Sequence, residues 1–280
     1  MARVRRIPLA ALVLGAAACS GSEMVDDPCG VATVEQYVLG SEVAGCMGAK
    51  ADVRVYHVSA PGDGVGGYLH ASVSGAGAAA VRLTAYDGKG TAELARFESE
   101  GPGAAATFFL AVAPGQDYRV AVANDGAFAE PYTYTLATTY TPVPDSSEPN
   151  DTLGAATPLT VGAPLQAYLF AGRHGAEDDP AAYDDYYRFS AVGSVTIRIE
   201  DVPSDVAPRL TLYGSDGNEA ARVATGIRGG TLVLKALMLP GPGDPVVRVA
   251  PWSDAPQSMG RGPAMPDHFT RPYKLTVTQP

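Results

Sequence analysis

The chain has 280 residues, with 30 acidic against 20 basic side chains and a formal charge of −10; with only four lysines present, the clustered cations that phosphate binding needs are missing, which argues against nucleic acid as a partner. Glycine (32) and proline (23) are abundant and no long apolar stripe recurs at helical period, so the composition excludes a helical bundle and favours strands joined by turns. The length suggests two domains, on a prior of about 150 residues each.

The amino terminus carries Arg3, Arg5 and Arg6, an apolar run from Ile7 to Leu14, and the small residues Gly15-Ala16-Ala17-Ala18 before Cys19. This reads as an export leader covering residues 1–18. The apolar run is too short to span a bilayer, which takes ~20 apolar residues. The segment resembles the lipobox of bacterial lipoproteins, although Ala16 stands where leucine is usual. That resemblance implies cleavage before Cys19 and acylation of its thiol, and often of the new amino terminus too. Two or three acyl chains would hold the protein at a membrane durably, where one would hold it weakly. The competing reading is an ordinary secretory signal with a spare cysteine. Without the three leader arginines the charge is −13, an acidic balance suited to solubility or cation binding. Residues 19–28 form a polar tether. Ser20 replaces the aspartate that would resemble the inner-membrane retention signal of enteric lipoproteins, which points to the outer membrane.

Cys29 and Cys46 are the remaining cysteines of three. Their spacing is not C-x-x-C and no histidine lies near them in sequence, so a disulfide in an oxidising compartment is expected rather than a metal site. In the chain-entropy model a loop of this length adds ~3 kcal/mol.

Short alternating or apolar runs predict strands near 34–39, 53–58, 68–73, 81–86, 107–112, 118–123 and 132–137. A second series is predicted near 167–171, 185–190, 195–199, 209–213, 221–225, 231–237, 246–250 and 273–278. The prolines and polar residues of 141–147 mark a boundary. The halves repeat one another in order: 52–57 answers 184–189, 81–88 answers 209–214, 118–125 answers 247–254, and 131–136 answers 272–277. The expected fold is all-β, two tandem antiparallel β-sandwiches of jelly-roll-like form over 29–141 and 145–280.

The second half carries Glu148-Pro-Asn-Asp151, Ala155-Ala-Thr-Pro-Leu159, Asp185-Tyr-Tyr-Arg-Phe189, Leu210-Thr-Leu-Tyr213 with Asp216-Gly217, and Tyr273-Lys-Leu-Thr-Val277. Together these resemble the bacterial pre-peptidase C-terminal domain over about 145–279, and the first half reads as a degenerate copy. The resemblance implies a compact β-sandwich found behind secreted proteases and in exported proteins. There it is an accessory or binding module without catalytic activity, and calcium settles near the E-P-N-D segment.

The residues support calcium on their own account. Glu148, Asn150 and Asp151 offer hard oxygens within four positions, and Glu177, Asp178, Asp179, Asp184 and Asp185 form a second acidic cluster; two clusters brought together could supply six ligands. Ser146 stands where calcium-binding relatives often carry another acid. Against this, Asn150 and Asp151 also suit a turn, and the loop acids suit solvation. Asp184 and Asp185 are the weakest members, since one of them must turn away from the other at the strand start.

Trp252, the only tryptophan, lies after a predicted strand, either as a contact for sugar or peptide or as an apolar plug on one end of the sandwich. The tyrosines along the strands read as sandwich packing. H-E-x-x-H, G-x-S-x-G and P-loop motifs are absent, and His57, His70, His174 and His268 lack ligand spacing. The glycine-rich stretches 62–67 and 214–217 read as turns. The function expected is therefore a non-catalytic envelope lipoprotein that binds a polymer, peptide or protein partner. The alternatives are an accessory factor of a secreted protease or hydrolase, and a structural spacer.

Overall fold

A computed structural model of the chain describes residues 29, 34–37, 39–62, 65–126, 128–169, 184–239, 243–252 and 264–279. Cys19, His174 and the acids Glu177, Asp178 and Asp179 lie outside the described residues. The fold is all-β, and two short 3-10 turns, Leu153–Ala155 and Asp267–Phe269, are the helical elements among the described residues.

The first half builds β1 (Val34–Tyr37), β2 (Glu42–Met47), β3 (Val53–Ser59), β4 (Gly67–Ser74), β5 (Val81–Asp87), β6 (Glu93–Glu98), β7 (Ala106–Val112), β8 (Asp117–Asn124) and β9 (Tyr132–Pro142). The second builds β10 (Thr157–Pro158), β11 (Leu165–Ala167), β12 (Asp185–Arg188), β13 (Ser194–Glu200), β14 (Pro208–Tyr213), β15 (Glu219–Ala224), β16 (Leu232–Met238), β17 (Val246–Pro251) and β18 (Tyr273–Thr278). Each half makes a sandwich of one five-stranded and one four-stranded sheet. The orders are β1-β3-β8-β5-β6 with β2-β9-β4-β7, and β10-β12-β17-β14-β15 with β11-β18-β13-β16. Strand for strand the second set repeats the first.

Pleating puts alternate residues of these strands inside. Tyr56, Leu69, Leu83, Phe108, Val120 and Leu136 fill the first core; Tyr187, Val195, Ile197, Leu210, Val249 and Tyr273 fill the second. Each such aliphatic or phenylalanine side chain adds about 1.5–3 kcal/mol by leaving water.

The repetition reaches single hydrogen bonds. Gly40 N–H donates to Thr138 C=O at 3.0 Å and Gly162 N–H to Val277 C=O at 2.8 Å; Gly103 N–H donates to Ala79 C=O and Gly229 N–H to Val206 C=O, both at 2.9 Å. Gly40 and Gly162 share left-handed φ values of 82° and 85°, a conformation that glycine adopts without steric cost.

The antiparallel sandwiches are as expected, and the structure adds three details that the sequence did not show. Each five-stranded sheet opens with a parallel pair, β1 with β3 and β10 with β12. The reason is that β2 and β11 cross to the opposite sheet before the chain returns in its original direction. The segment expected to be a boundary carries the end of β9, and Val143 beyond it is buried, its N–H donating to Gly66 C=O at 2.9 Å. The repeats also match in order with shifted registers. Tyr56 pairs with Val120 as Tyr187 pairs with Val247, so Arg54 matches Asp185, one residue away from the alignment read in sequence. Tyr134, rather than Tyr132, matches Tyr273. A one-residue slip exchanges the inner and outer faces of a strand.

Val143 joins Tyr68 and Phe109 of the first half and Phe269 of the second in a small buried cluster.

A buried carboxylate pocket as candidate functional site

The second sandwich gathers four acids beside the start of β12. Asp185 is 1% exposed and faces inward because its neighbours in pleat, Tyr187 and Phe189, do. Its Oδ2 accepts from the Tyr273 hydroxyl at 2.5 Å, and Tyr273 and Tyr187 share a hydroxyl–hydroxyl hydrogen bond of 2.6 Å. Glu148 Oε2 accepts from Asn150 N–H at 3.0 Å. Asn150 C=O in turn accepts from Tyr186 N–H at 3.0 Å, which ties the E-P-N-D segment to β12. Asp145 accepts from Ser147 N–H at 2.8 Å and from Tyr168 N–H at 2.7 Å.

Glu148 Oε1 and Asp185 Oδ1 are buried without a hydrogen-bond donor among the described residues. Burial and the charges around them act together. Asp185 is pushed well above the ordinary carboxylate range, first by desolvation, then by Glu148, and further by Asp145 and Asp151, against the lowering effect of Tyr273. Glu148 is pushed up to about 7 by desolvation, by Asp151 and by Asp145, with the Asn150 N–H acting in the opposite sense. The Tyr187 and Tyr273 hydroxyls are also pushed up, by burial and then by Asp185.

The pocket thus brings together Glu148, Asn150, Asp151 and Asp185 as the sequence suggested. It leaves out Asp184, whose carboxylate turns to the outer face and pairs with Arg248 at 2.5 Å. The two acids, which the sequence left unranked, part company: Asp185 lies in the pocket and Asp184 pairs with an arginine. Asp145 was missed in sequence. The additional acid sought at Ser146 stands one residue earlier, and its place in E-P-N-D-type spacing was the signal available.

Hard carboxylate oxygens in a pocket with orphaned acceptors fit calcium in donor chemistry. Glu148, Asp151 and Asp185 would hold it, with Asp145 behind them. Among the described residues, however, no group of three or more acidic, His or Cys side chains is close enough to hold a metal ion as it stands.

Elsewhere, Cys29 and Cys46 form the expected disulfide. Trp252 directly follows β17 and is 46% exposed, so it is not a buried plug. His57, Ser59 and Asp117 meet at one strand pair, but Asp117 lies between the other two. Ser59 donates to it at 2.6 Å and His57 lies 3.6 Å from it, an order unlike the serine–histidine contact of a nucleophilic triad. His268 is buried against Asp205 at 2.7 Å, and His70 stacks on Phe109 with ring centres 4.5 Å apart.

Fold and site together define a tandem β-sandwich protein with one acidic pocket in its second copy. No protein-family model and no curated protein matches the chain. Among solved structures the chain is similar to tripeptidyl peptidase 2, at 7% identity over 84% of this chain and 22% of that one, with a TM-score of 0.29. It is similar to the PBSX exported protein XepA at 10% identity, covering 76% of this chain and 85% of that one, with a TM-score of 0.29. It is similar to the secreted serine protease VesC from Vibrio cholerae at 11% identity, covering 86% and 47%, with a TM-score of 0.25. These are weak likenesses to protease-related or exported proteins, and this chain spans only 22% of the first of them.

Proposed function

We propose that the chain is a non-catalytic lipoprotein of the bacterial cell envelope, anchored through acylated Cys19, with tandem sandwiches of the pre-peptidase C-terminal type that bind a polymer, peptide or protein partner. The outer membrane is the favoured location, on the leader and on Ser20. The observation that carries the reading is how the buried polar groups are used. The Tyr56–Tyr134 pair, the Tyr187–Tyr273–Asp185 chain and Arg54 all hold framework segments together. Exposed Trp252 offers a contact residue on the second copy. Two weak modules on one tether add through effective concentration. Calcium in the carboxylate pocket would fix the E-P-N-D segment against β12.

Metabolic labelling with a fatty acid tests the anchor. The wild type should take up label and Cys19→Ala should not; equal labelling overturns it. Affinity capture from envelope extract with residues 29–280 tests the binding role, with saturable retention of one polymer or protein expected. Hydrolysis of a substrate by the purified chain, abolished by a single side-chain substitution, would replace this reading with an enzymatic one.

A further inference from the structure

The duplicated framework allows the two copies to be compared atom by atom at the pocket. Asp185 pairs with Val249 across β12 and β17, and Arg54 pairs with Val122 across β3 and β8. Each stands two residues before the tyrosine of a buried tyrosine pair, Tyr187–Tyr273 at 2.6 Å and Tyr56–Tyr134 at 2.7 Å. Both point inward and both are buried, Arg54 to 6% exposure and Asp185 to 1%. A carboxylate in one copy is therefore a guanidinium in the other, at one position of one framework.

The surroundings change to match. Arg54 Nε donates to Cys46 C=O at 2.9 Å, and its Nη2 donates to Cys29 C=O at 3.1 Å. Gly40 matches Gly162 in conformation and hydrogen bond. Gly45 faces Tyr134 as Ala167 faces Tyr273. The segment is thus ungapped, and the same count sets Cys46 against Tyr168 and Cys29 against Asp151. Where the second copy has Asp151 beside Asp185, the first has one end of a disulfide whose two backbone carbonyls clasp a cationic side chain. Carbonyl oxygens around a buried positive charge repay its desolvation only when they are aimed at it, and here two are.

We infer that Arg54 is the built-in cation of the first sandwich, doing with a tethered guanidinium what a bound cation does in the carboxylate pocket of the second. It draws the entering segment at Cys29 onto β2 and β3, and the disulfide makes the same connection covalent. The first copy is accordingly indifferent to added cations and the second responds to them, a difference that rests on the cation reading of the acidic pocket.

Hydrogen exchange read by mass spectrometry on the whole mature chain separates the copies by peptide. In the wild type, millimolar calcium should slow exchange in β12 and β18 and leave β3 and β9 unchanged. Arg54→Met should speed exchange in β2 and β3 by on the order of tenfold, the size expected from losing hydrogen bonds to a charged group, and calcium should not reverse it. Arg54→Asp should speed it likewise, and calcium should restore part of the protection, because the new carboxylate and the carbonyls of Cys29 and Cys46 then offer oxygens to a cation. The inference is overturned if Arg54→Met leaves exchange unchanged, or if wild-type β3 and β9 slow with calcium as β12 and β18 do. It is also overturned if folded Arg54→Asp ignores calcium while the second copy responds. Calcium without effect on either copy, with Arg54→Met still losing protection, would retire the cation reading of the acidic pocket and leave the Arg54 clasp standing. Should Arg54→Asp fail to fold, Arg54→Met decides alone.

Discussion

Phe269 of the second sandwich stacks on Tyr68 of the first, with ring centres 5.6 Å apart and planes 24° apart. Phe269 is 1% exposed and sits on a 3-10 turn fixed from below. Asp205 holds His268 at 2.7 Å, and Asp267 accepts from Ser204 N–H at 2.7 Å. The ring is therefore presented on a rigid mount, with Phe109 and Val143 completing the joint. Removing it in Phe269→Ala should cost about 3–5 kcal/mol, as for other buried phenylalanines. The loss should fall on the joint rather than on either core. Small-angle scattering should show a broader distribution of maximum dimensions, while strands β13 and β18 keep their exchange protection. An unchanged scattering profile would mean that the joint is held by something else.

Glu148 and Asp185 set the pH response of the second copy. Both carboxyls have folded-state affinities for protons raised above the ordinary value. Such groups favour the folded state while protonated, and that contribution is lost as pH rises through the folded pKa. For Glu148 the window runs from the ordinary 4.5 to about 7. Thermal unfolding of the mature chain between pH 5 and 8 should therefore show the second sandwich losing stability with rising pH. Glu148→Gln should flatten the slope, and calcium should oppose the loss at pH 8. A slope that Glu148→Gln leaves untouched would remove Glu148 from the pocket's electrostatics.

Alternation, turn residues and the order of repeated segments made the all-β class and the duplication legible in sequence. Strands β2 and β6 were not, because each shows an irregular run of exposed, half-buried and buried residues that lacks period-2 contrast. The repeat registers were misread for a related reason. Tyrosine recurs at Tyr132, Tyr134, Tyr186 and Tyr187, so identity alone fits more than one register, and pairing across the sheet decides. Glu148, Asn150, Asp151 and Asp185 could be named from donor chemistry. That Asp184 would be lost to Arg248 could not, since the two are 64 positions apart and meet only through β12–β17 pairing.

Gly67 is required by close approach rather than by torsion. A Cβ there would lie 2.4 Å from Thr141 C=O and 2.7 Å from the Tyr140 ring. Backbone cannot yield as a flexible side-chain tip can, so Gly67→Ala should destabilise the first sandwich by about 1–3 kcal/mol. Gly101 has open space at the same test, and Gly101→Ala should be neutral or stabilising by up to about 1 kcal/mol. Urea denaturation of both variants checks the contrast, and equal midpoints would refute it.

The two tyrosine pairs should respond unequally to loss of one hydroxyl. In the first copy, Tyr134→Phe removes a neutral hydrogen bond to Tyr56, at about 0.5–1.5 kcal/mol. In the second, Tyr273→Phe breaks the bond to Tyr187 and also takes the donor from Asp185, whose other oxygen already lacks one among the described residues. A buried acceptor left unsatisfied costs about 1–3 kcal/mol. The Tyr273 hydroxyl favours the charged form of Asp185, so its removal should hurt more as that carboxyl ionises. Denaturation midpoints followed with rising pH should show a defect in Tyr273→Phe that grows as Asp185 ionises, and one in Tyr134→Phe that does not. Parallel behaviour of the two variants would mean that Asp185 draws nothing from Tyr273.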